Sequence, residues 1–299
     1  MPKKYTFSVI GGDRRQVEII KKLLLCGHYV KVFSLGTEIS NIAGAEIFSS
    51  AEKALCESDV LILPLPITRD GVSVNLTAPS DKISLNEVFR LCSKIKAPIV
   101  FGGLVPEVTC RIAQETGIEI NDYYKSEELQ QKNALPSAEG AIMVAMENTD
   151  RVIEGMNVLV CGYGRIGKIL ARKLKLLGAC VSVAARRDEV LCEIAMDGFI
   201  PIDLRSQDQL SKASKNSEVI FNTIPMQIFT RQIIDKIDSD PLYIEIASFP
   251  GGIDLQSARD RGMRIIFAPS LPGRYAPASA GEYIFETIKD ILDKRGIKI

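Results

Sequence analysis

Apolar positions along this chain gather into short continuous runs separated by stretches of helical spacing. Tyr5 to Ile10 is β-rich, Gly11-Gly12-Asp13 is a turn, Arg14 to Cys26 is helical, and Tyr29 to Ser34 is a second β-run. This is a strand, helix, strand unit. Gly27 stands where a helix C′ residue is expected, and His28 follows it in the turn. Further apolar runs lie at Val60 to Leu65, Ile99 to Phe101 and Gly117 to Ile120, with helical patterns between them. Residues 1–130 are therefore expected to form one doubly wound α/β lobe.

The pattern then changes. Asn121 to Gln131 is polar, and Pro136 precedes Ser137, Ala138, Glu139 and Gly140 before an apolar stretch from Ala141 to Met146. A connecting helix within residues 131–150 follows from this, with Ser137 near its start as a possible N-cap. A second alternation fills residues 151–279, with strands expected at 157–161, 180–184, 218–222, 242–246 and 264–267. Beyond the loop Ala268 to Pro277, the segment 280–299 has helical spacing and no strand to return to, so it is expected to pack back on the first lobe. The expected fold is α/β, two doubly wound lobes, the second of Rossmann type, with a cleft between them.

Composition narrows the chemistry. Lys and Arg total 37 and Asp and Glu total 37, so the charge footprint of a nucleic-acid or anionic-membrane binder is missing. Met1-Pro2-Lys3-Lys4 leads into a short strand rather than a signal core, and Pro64 and Pro66 interrupt the most apolar stretch. A cytoplasmic protein is expected. The seven cysteines contain no CxxC pair, which argues against a structural metal or a disulfide framework. A homo-oligomer is left open.

The candidate chemistry lies in the second lobe. Val158-Leu159-Val160-Cys161 feeds into Gly162-Tyr163-Gly164-Arg165-Ile166-Gly167 and then a helix from Lys168 to Leu177. This is GxGxxG between a strand and a helix, the context that places a pyrophosphate on a helix N-terminus. The next strand ends in Ala185-Arg186-Arg187, where an NAD site normally presents a carboxylate to the ribose. Two guanidinium groups there suit a 2′-phosphate, so NADP is expected. The alternative is that one arginine stacks on the adenine and the other is solvated. Asn222-Thr223-Ile224-Pro225 and Ala247-Ser248 follow later strands and are expected to line the ribose and nicotinamide. The first lobe's Gly11-Gly12 turn lacks the third motif glycine and is a poor second nucleotide site.

The chain resembles the A subunits of dipicolinate synthase from endospore-forming bacteria nearly end to end. The resemblance is carried by Val9-Ile10-Gly11-Gly12-Asp13-Arg14-Arg15-Gln16, Leu63-Pro64-Leu65-Pro66 with Thr68-Arg69-Asp70-Gly71, Asn133 to Ala141, the GxGxxG and Leu271-Pro272-Gly273-Arg274-Tyr275-Ala276-Pro277. The second lobe alone also resembles D-2-hydroxyacid dehydrogenases and S-adenosylhomocysteine hydrolases. The hydroxyacid dehydrogenases use a histidine after the cofactor motif, whereas the single histidine here is His28.

What the resemblance implies is oxidation of dihydrodipicolinate to dipicolinate in a sporulating cell, with hydride passing to NADP and with a flavoprotein-like partner, the B subunit. Aromatisation makes that step downhill and lessens the need for an acid or base. A flat dicarboxylate calls for arginine forks, and Arg14, Arg15, Arg69 and Arg274 are the candidates. Ser137 is a candidate hydroxyl donor, and Glu139 or Asp70 a candidate base. The competing readings are a different NADP-dependent small-carboxylate reductase and a non-catalytic, NADP-responsive regulatory subunit.

Overall fold

The computed structural model of the protein describes residues 3–36, 42–77, 81–95 and 98–299, so Met1 and Pro2 fall outside it. Two compact units make up the chain, residues 1–133 with 276–299, and residues 134–275.

The first unit holds strands β1 (Thr6–Ile10), β2 (Tyr29–Phe33), β3 (Ala45–Ile47), β4 (Val60–Ile62), β5 (Ile99–Gly102) and β6 (Ile120–Asp122). They form one parallel sheet in the order β3-β2-β1-β4-β5-β6. Helices α1 (Arg14–Leu25), α2 (Ala51–Leu55), α3 (Leu85–Lys94) and α4 (Glu107–Glu115) connect them. Both faces of the sheet are covered. Phe7, Val9, Val60 and Ile62 belong to one core, while Ile10, Leu61, Leu63 and Val100 belong to the other. That two-sided burial is why these strands read as unbroken apolar runs.

The second unit repeats the plan. Strands β7 (Asn157–Cys161), β8 (Cys180–Ala185), β9 (Ile200–Asp203), β10 (Val219–Asn222), β11 (Leu242–Glu245) and β12 (Ile265–Phe267) form a parallel sheet ordered β12-β11-β10-β7-β8-β9. Each sheet reverses direction beside its own first strand, the switch point at which doubly wound sheets bind ligands. Long helix α5 (Glu127–Glu147) precedes this sheet. Helices α6 (Arg165–Leu176), α7 (Asp188–Met196), α8 (Gln207–Lys215), α9 (Arg231–Ile234), α10 (Leu255–Arg261) and α11 (Leu271–Tyr275) belong to it, and α12 (Pro277–Lys294) follows.

Three sequence expectations are corrected here. Pro136 does not precede a helix start, because α5 runs through it from Glu127. The proline removes one main-chain hydrogen bond. Burial of Ala134, Ala138, Ala141 and Ala145 on one face of α5 offsets that loss. Ser137 is thus a buried mid-helix residue and not an N-cap. The expected loop from Ala268 to Pro277 contains α11. Gly117 to Ile120 is largely a turn, the strand there beginning at Ile120.

Helix α12 packs on α1 within the first unit. A Cβ on Gly281 would stand 2.5 Å from the Arg15 carbonyl oxygen, so the two backbones meet where only glycine fits. Ile284, Phe285, Ile288 and Leu292 enter the core there. Each such burial contributes roughly 1.5–3 kcal/mol.

Candidate functional site

At the carboxyl end of β7 the chain turns through Gly162 and Tyr163 into α6, whose N-cap is Gly164. Gly162 has φ of +102°, and a Cβ on it would lie 2.3 Å from Thr223 Oγ1. A Cβ on Gly167 would lie 2.1 Å from the Gly162 carbonyl oxygen, so α6 rests against the turn only because that residue is glycine. Gly164 differs, since a Cβ there would meet nothing within 4 Å. The helix N-terminus therefore presents an open face, where main-chain N–H groups and the helix dipole favour a phosphate. Arg165 and Ile166 form the first turn of α6, which begins at Arg165 rather than Lys168.

A cavity of about 500 Å³ opens from this turn, lined by Gly162, Gly164, Arg186, Arg187, Arg205 and Ile224 among others. Arg186 and Arg187 follow β8, are exposed, and make no hydrogen bond or ion pair through their side chains among the described residues. Arg205, which hydrophobic patterning did not single out, follows the edge strand β9. Its Nε donates to Asp203 Oδ1 at 2.9 Å and its Nη2 to Asp203 Oδ2 at 2.9 Å. Its Nη1 donates to Asp188 Oδ2 at 3.2 Å, and Nη2 also reaches Asp188 Oδ1. Hydrogen bonds and charge from Arg205 hold the Asp188 and Asp203 carboxyls below the usual carboxylate range. Tyr163 turns its hydroxyl to Asp197 of the segment after α7, and burial with that bond pushes its phenol up.

The loops after β10 and β11 are tied together from beneath. Asn222 is fully buried, and its side chain turns to the protein's own groups. Its Nδ2 donates to the Ile224 carbonyl at 2.9 Å and to Glu245 Oε1 at 2.7 Å, and its Oδ1 accepts from the Ile224 N–H at 3.1 Å. Glu245 is 3% exposed and also accepts from Tyr243 Oη at 3.1 Å, Ala247 N at 3.2 Å and Gly252 N at 2.8 Å. A buried carboxylate is tolerable only with such a set of donors. Thr223 Oγ1 donates to the Cys161 carbonyl at 2.9 Å, Ile224 lines the cavity, Pro225 and Ser248 are exposed, and Ala247 is partly exposed.

The first unit's glycine turn is closed. Gly12 N donates to the Asn75 carbonyl at 2.9 Å, and a Cβ on Gly11 would lie 2.5 Å from Leu76. The Gly12 amide is thus already spent on the chain's own backbone and is not offered to a phosphate. Asp13 caps α1 and accepts from Arg15 Nε at 2.9 Å and Nη2 at 2.8 Å, while Arg15 also donates to the Leu65 carbonyl. Burial would raise the Asp13 carboxyl, but Arg15, aided by the charge of Arg69, holds it below the ordinary value. Arg15 is buried by this arrangement, whereas Arg14 and Arg69 are exposed.

The expected bases have other employment. Asp70 Oδ1 accepts from Ser73 N at 2.7 Å, Val72 N at 2.9 Å and Thr68 Oγ1 at 3.0 Å. Those bonds hold its carboxyl far below the usual range, which makes Asp70 the organiser of the turn bearing Arg69 and a weak base. Glu139 is exposed and ion-paired with Lys173 at 2.8 Å. In the second unit, Arg274 lies 5.2 Å from the Tyr275 ring centroid, and Tyr275 donates to Glu147 at 2.9 Å. His28 stands at the amino edge of its sheet, accepting from Tyr5 N at 3.3 Å through Nδ1, away from the strand ends that bind ligands. Among the described residues no group of three or more His, Cys, Asp or Glu could hold a metal ion. No helix among them is long and apolar enough to cross a membrane.

A GxGxxG turn with open helix amides, a cavity beside it and a parallel sheet in Rossmann order define a nicotinamide dinucleotide-binding protein of dehydrogenase type. The profile of the S-adenosyl-L-homocysteine hydrolase NAD-binding domain matches residues 137–270, in agreement. Residues 6–124 match the N-terminal domain of the dipicolinate synthase A subunit. The A subunit of dipicolinate synthase from Bacillus subtilis (strain 168) is 30% identical over 285 residues, 95% of each chain. The chain belongs to the family of dipicolinate synthase A subunits. The crystal structure of the family member from Bacillus halodurans superposes with a TM-score of 0.86 at 29% identity, covering 98% of this chain and 99% of that one. The Bacillus subtilis structure gives 0.82 at 28% identity, covering 98% and 97%. Membership of a family named for one subunit of a synthase implies a partner.

Proposed function

We propose that this chain oxidises dihydrodipicolinate to dipicolinate in the cytoplasm of a sporulating cell, with NADP as hydride acceptor and with a flavoprotein-like partner, the B subunit. The observation that carries the cofactor half is the pair Arg186 and Arg187, exposed and unpaired on the cavity that opens from the glycine turn. The residues fit the group. The N–H groups of the α6 N-terminus and the open face of Gly164 receive the pyrophosphate, and Arg186 and Arg187 receive the 2′-phosphate. Bound NADP supplies the carbon that takes up hydride.

On the substrate side, Arg69 is the exposed cation presented by the Asp70 turn, with Arg14 and Arg274 as further carboxylate contacts. Arg15 acts mainly by fixing Asp13 and the Leu65 carbonyl. One ring C–H bond breaks with its electron pair leaving as hydride, the other hydrogen is lost as a single proton to solvent or to Glu139 near Ser137, and the ring becomes aromatic. With Asp70 a weak base, the drive comes from aromatisation.

The test mixes purified chain, NADP and freshly generated dihydrodipicolinate, with and without the B subunit, and follows NADPH absorbance and dipicolinate. NADPH and dipicolinate in equal amounts from the pair, with little from the chain alone, is the expected result. No NADPH from the pair removes the dehydrogenase reading, and full activity from the chain alone removes the need for the partner.

A further inference from the structure

We infer that Arg205 sets the cofactor preference of this site without itself binding the 2′-phosphate, by neutralising Asp188 and Asp203 beside the two arginines that do. The inference rests on the NADP reading above.

Arg205 lines the same cavity as Arg186 and Arg187. Its own hydrogen-bonding capacity is nearly used up. Nε and Nη2 are taken by Asp203, and Nη1 and Nη2 by Asp188. A guanidinium has five N–H groups in a fixed fork, so little of it is left to meet a phosphate. Its contribution is charge. Arg186, Arg187 and Arg205 against Asp188 and Asp203, the two carboxylates that Arg205 pairs with, sum to one net positive charge for a dianionic group, with Glu189 in the first turn of α7 the next acidic neighbour.

Without Arg205 that surplus is gone, and the two carboxylates it holds, each next in sequence to a residue that lines the cavity, become free acceptors. Asp203 ends β9, the strand next to β8, and Asp188 opens α7 directly after Arg187. A carboxylate near the end of the second strand of the unit is what an NAD site uses to hold a ribose hydroxyl. The corner therefore holds the elements of both preferences, and Arg205 masks the one for NAD.

Asp203 is half-buried and the other four groups are exposed, so the effect is electrostatic and weakens with salt. Calorimetric titration of NADP⁺ and NAD⁺ into the full chain tests it, using wild type, Arg205→Ala, Asp188→Asn, and Arg205→Ala combined with Asp188→Asn and Asp203→Asn. Wild type is expected to favour NADP⁺ about tenfold or more. Arg205→Ala is expected to lose most of that preference, with NAD⁺ affinity equal or higher. The triple variant is expected to regain NADP⁺ binding, a rescue that a merely structural arginine would not show.

A preference unchanged in Arg205→Ala, or a folded triple variant that does not recover, overturns the inference and leaves the NADP reading standing. A wild type indifferent to the 2′-phosphate overturns both. Should Arg205→Ala lose its thermal transition, Asp188→Asn decides alone: NADP⁺ binding tightened about threefold with NAD⁺ unchanged supports the inference, and no change overturns it.

Discussion

Asn222 donates its side-chain amide to Glu245 at 2.7 Å, a bond between the carboxyl ends of two adjacent strands with both residues buried. Through it the loops that follow β10 and β11 are set against each other before any ligand arrives. Their geometry is that of preorganisation, in which the ordering cost is met during folding and not at binding.

The first prediction concerns that bond. Glu245→Gln keeps the shape but turns one acceptor into a donor, facing Asn222 and Ala247 on one side or Tyr243 and Gly252 on the other. A buried donor left unsatisfied costs about 1–3 kcal/mol. Urea unfolding of the variant should show a loss of that size. An unchanged midpoint would mean that the network does not hold the loops.

Arg186→Ala and Arg187→Ala should each weaken NADP⁺ binding by about fivefold or more, taking roughly 1 kcal/mol for each net charge-assisted bond. NAD⁺ affinity should stay the same. Calorimetry of both cofactors reads the difference, and equal losses for the two would assign the arginines to the shared part of the dinucleotide.

The glycines of the turn separate stability from binding. Gly167→Ala places a methyl 2.1 Å from a carbonyl oxygen, so it should lower the melting temperature and abolish cofactor binding together. Gly164→Ala meets nothing within 4 Å, so it should leave melting nearly unchanged while weakening the dinucleotide. Thermal scans paired with titration of NADP⁺ check both halves.

His28 gives the chain an acid response of its own. Burial, aided by the charge of Lys4, pushes its imidazole below the ordinary value. Above about pH 6.5 it is neutral in both folded and unfolded chains. As pH falls through that value, the unfolded chain takes up a proton that the folded one does not, so stability declines until pH passes the folded value. His28→Gln should flatten the slope between about pH 7 and 5.5, where carboxylates scarcely titrate. Urea midpoints across that window measure it, and the same slope in the variant would assign the response elsewhere.

Interior strands were legible because burial on both faces makes them continuous apolar runs, as in Val60 to Leu63 and Val158 to Cys161. The edge strands β3 and β9 were not. Ala45–Ile47 is only three residues with a central glutamate, and Ile200–Asp203 carries Pro201, which an edge strand tolerates and an interior one does not. Missing β9 hid Arg205, whose placement depends on where that strand ends. The start of α5 was obscured because its first turns, Glu127 to Gln131, are mostly polar and its proline looks like a boundary. At the site, the glycine motif and Arg186-Arg187 were readable from spacing. Glu245 was not, because one acidic residue in an apolar run shows nothing of the four donors that surround it.

Helix α12 carries one more consequence, which concerns the order of synthesis. A ribosome releases residues 1–133 long before residues 276–299, yet both segments build one core. The second unit, continuous in sequence, is whole first. Until α12 arrives, the core of the first unit lacks Ile284, Phe285, Ile288 and Leu292, and the nascent amino-terminal sheet waits with an apolar surface open to chaperones and to neighbouring chains. A stop placed at residue 276 would therefore yield a chain with a finished dinucleotide unit and an aggregation-prone first half.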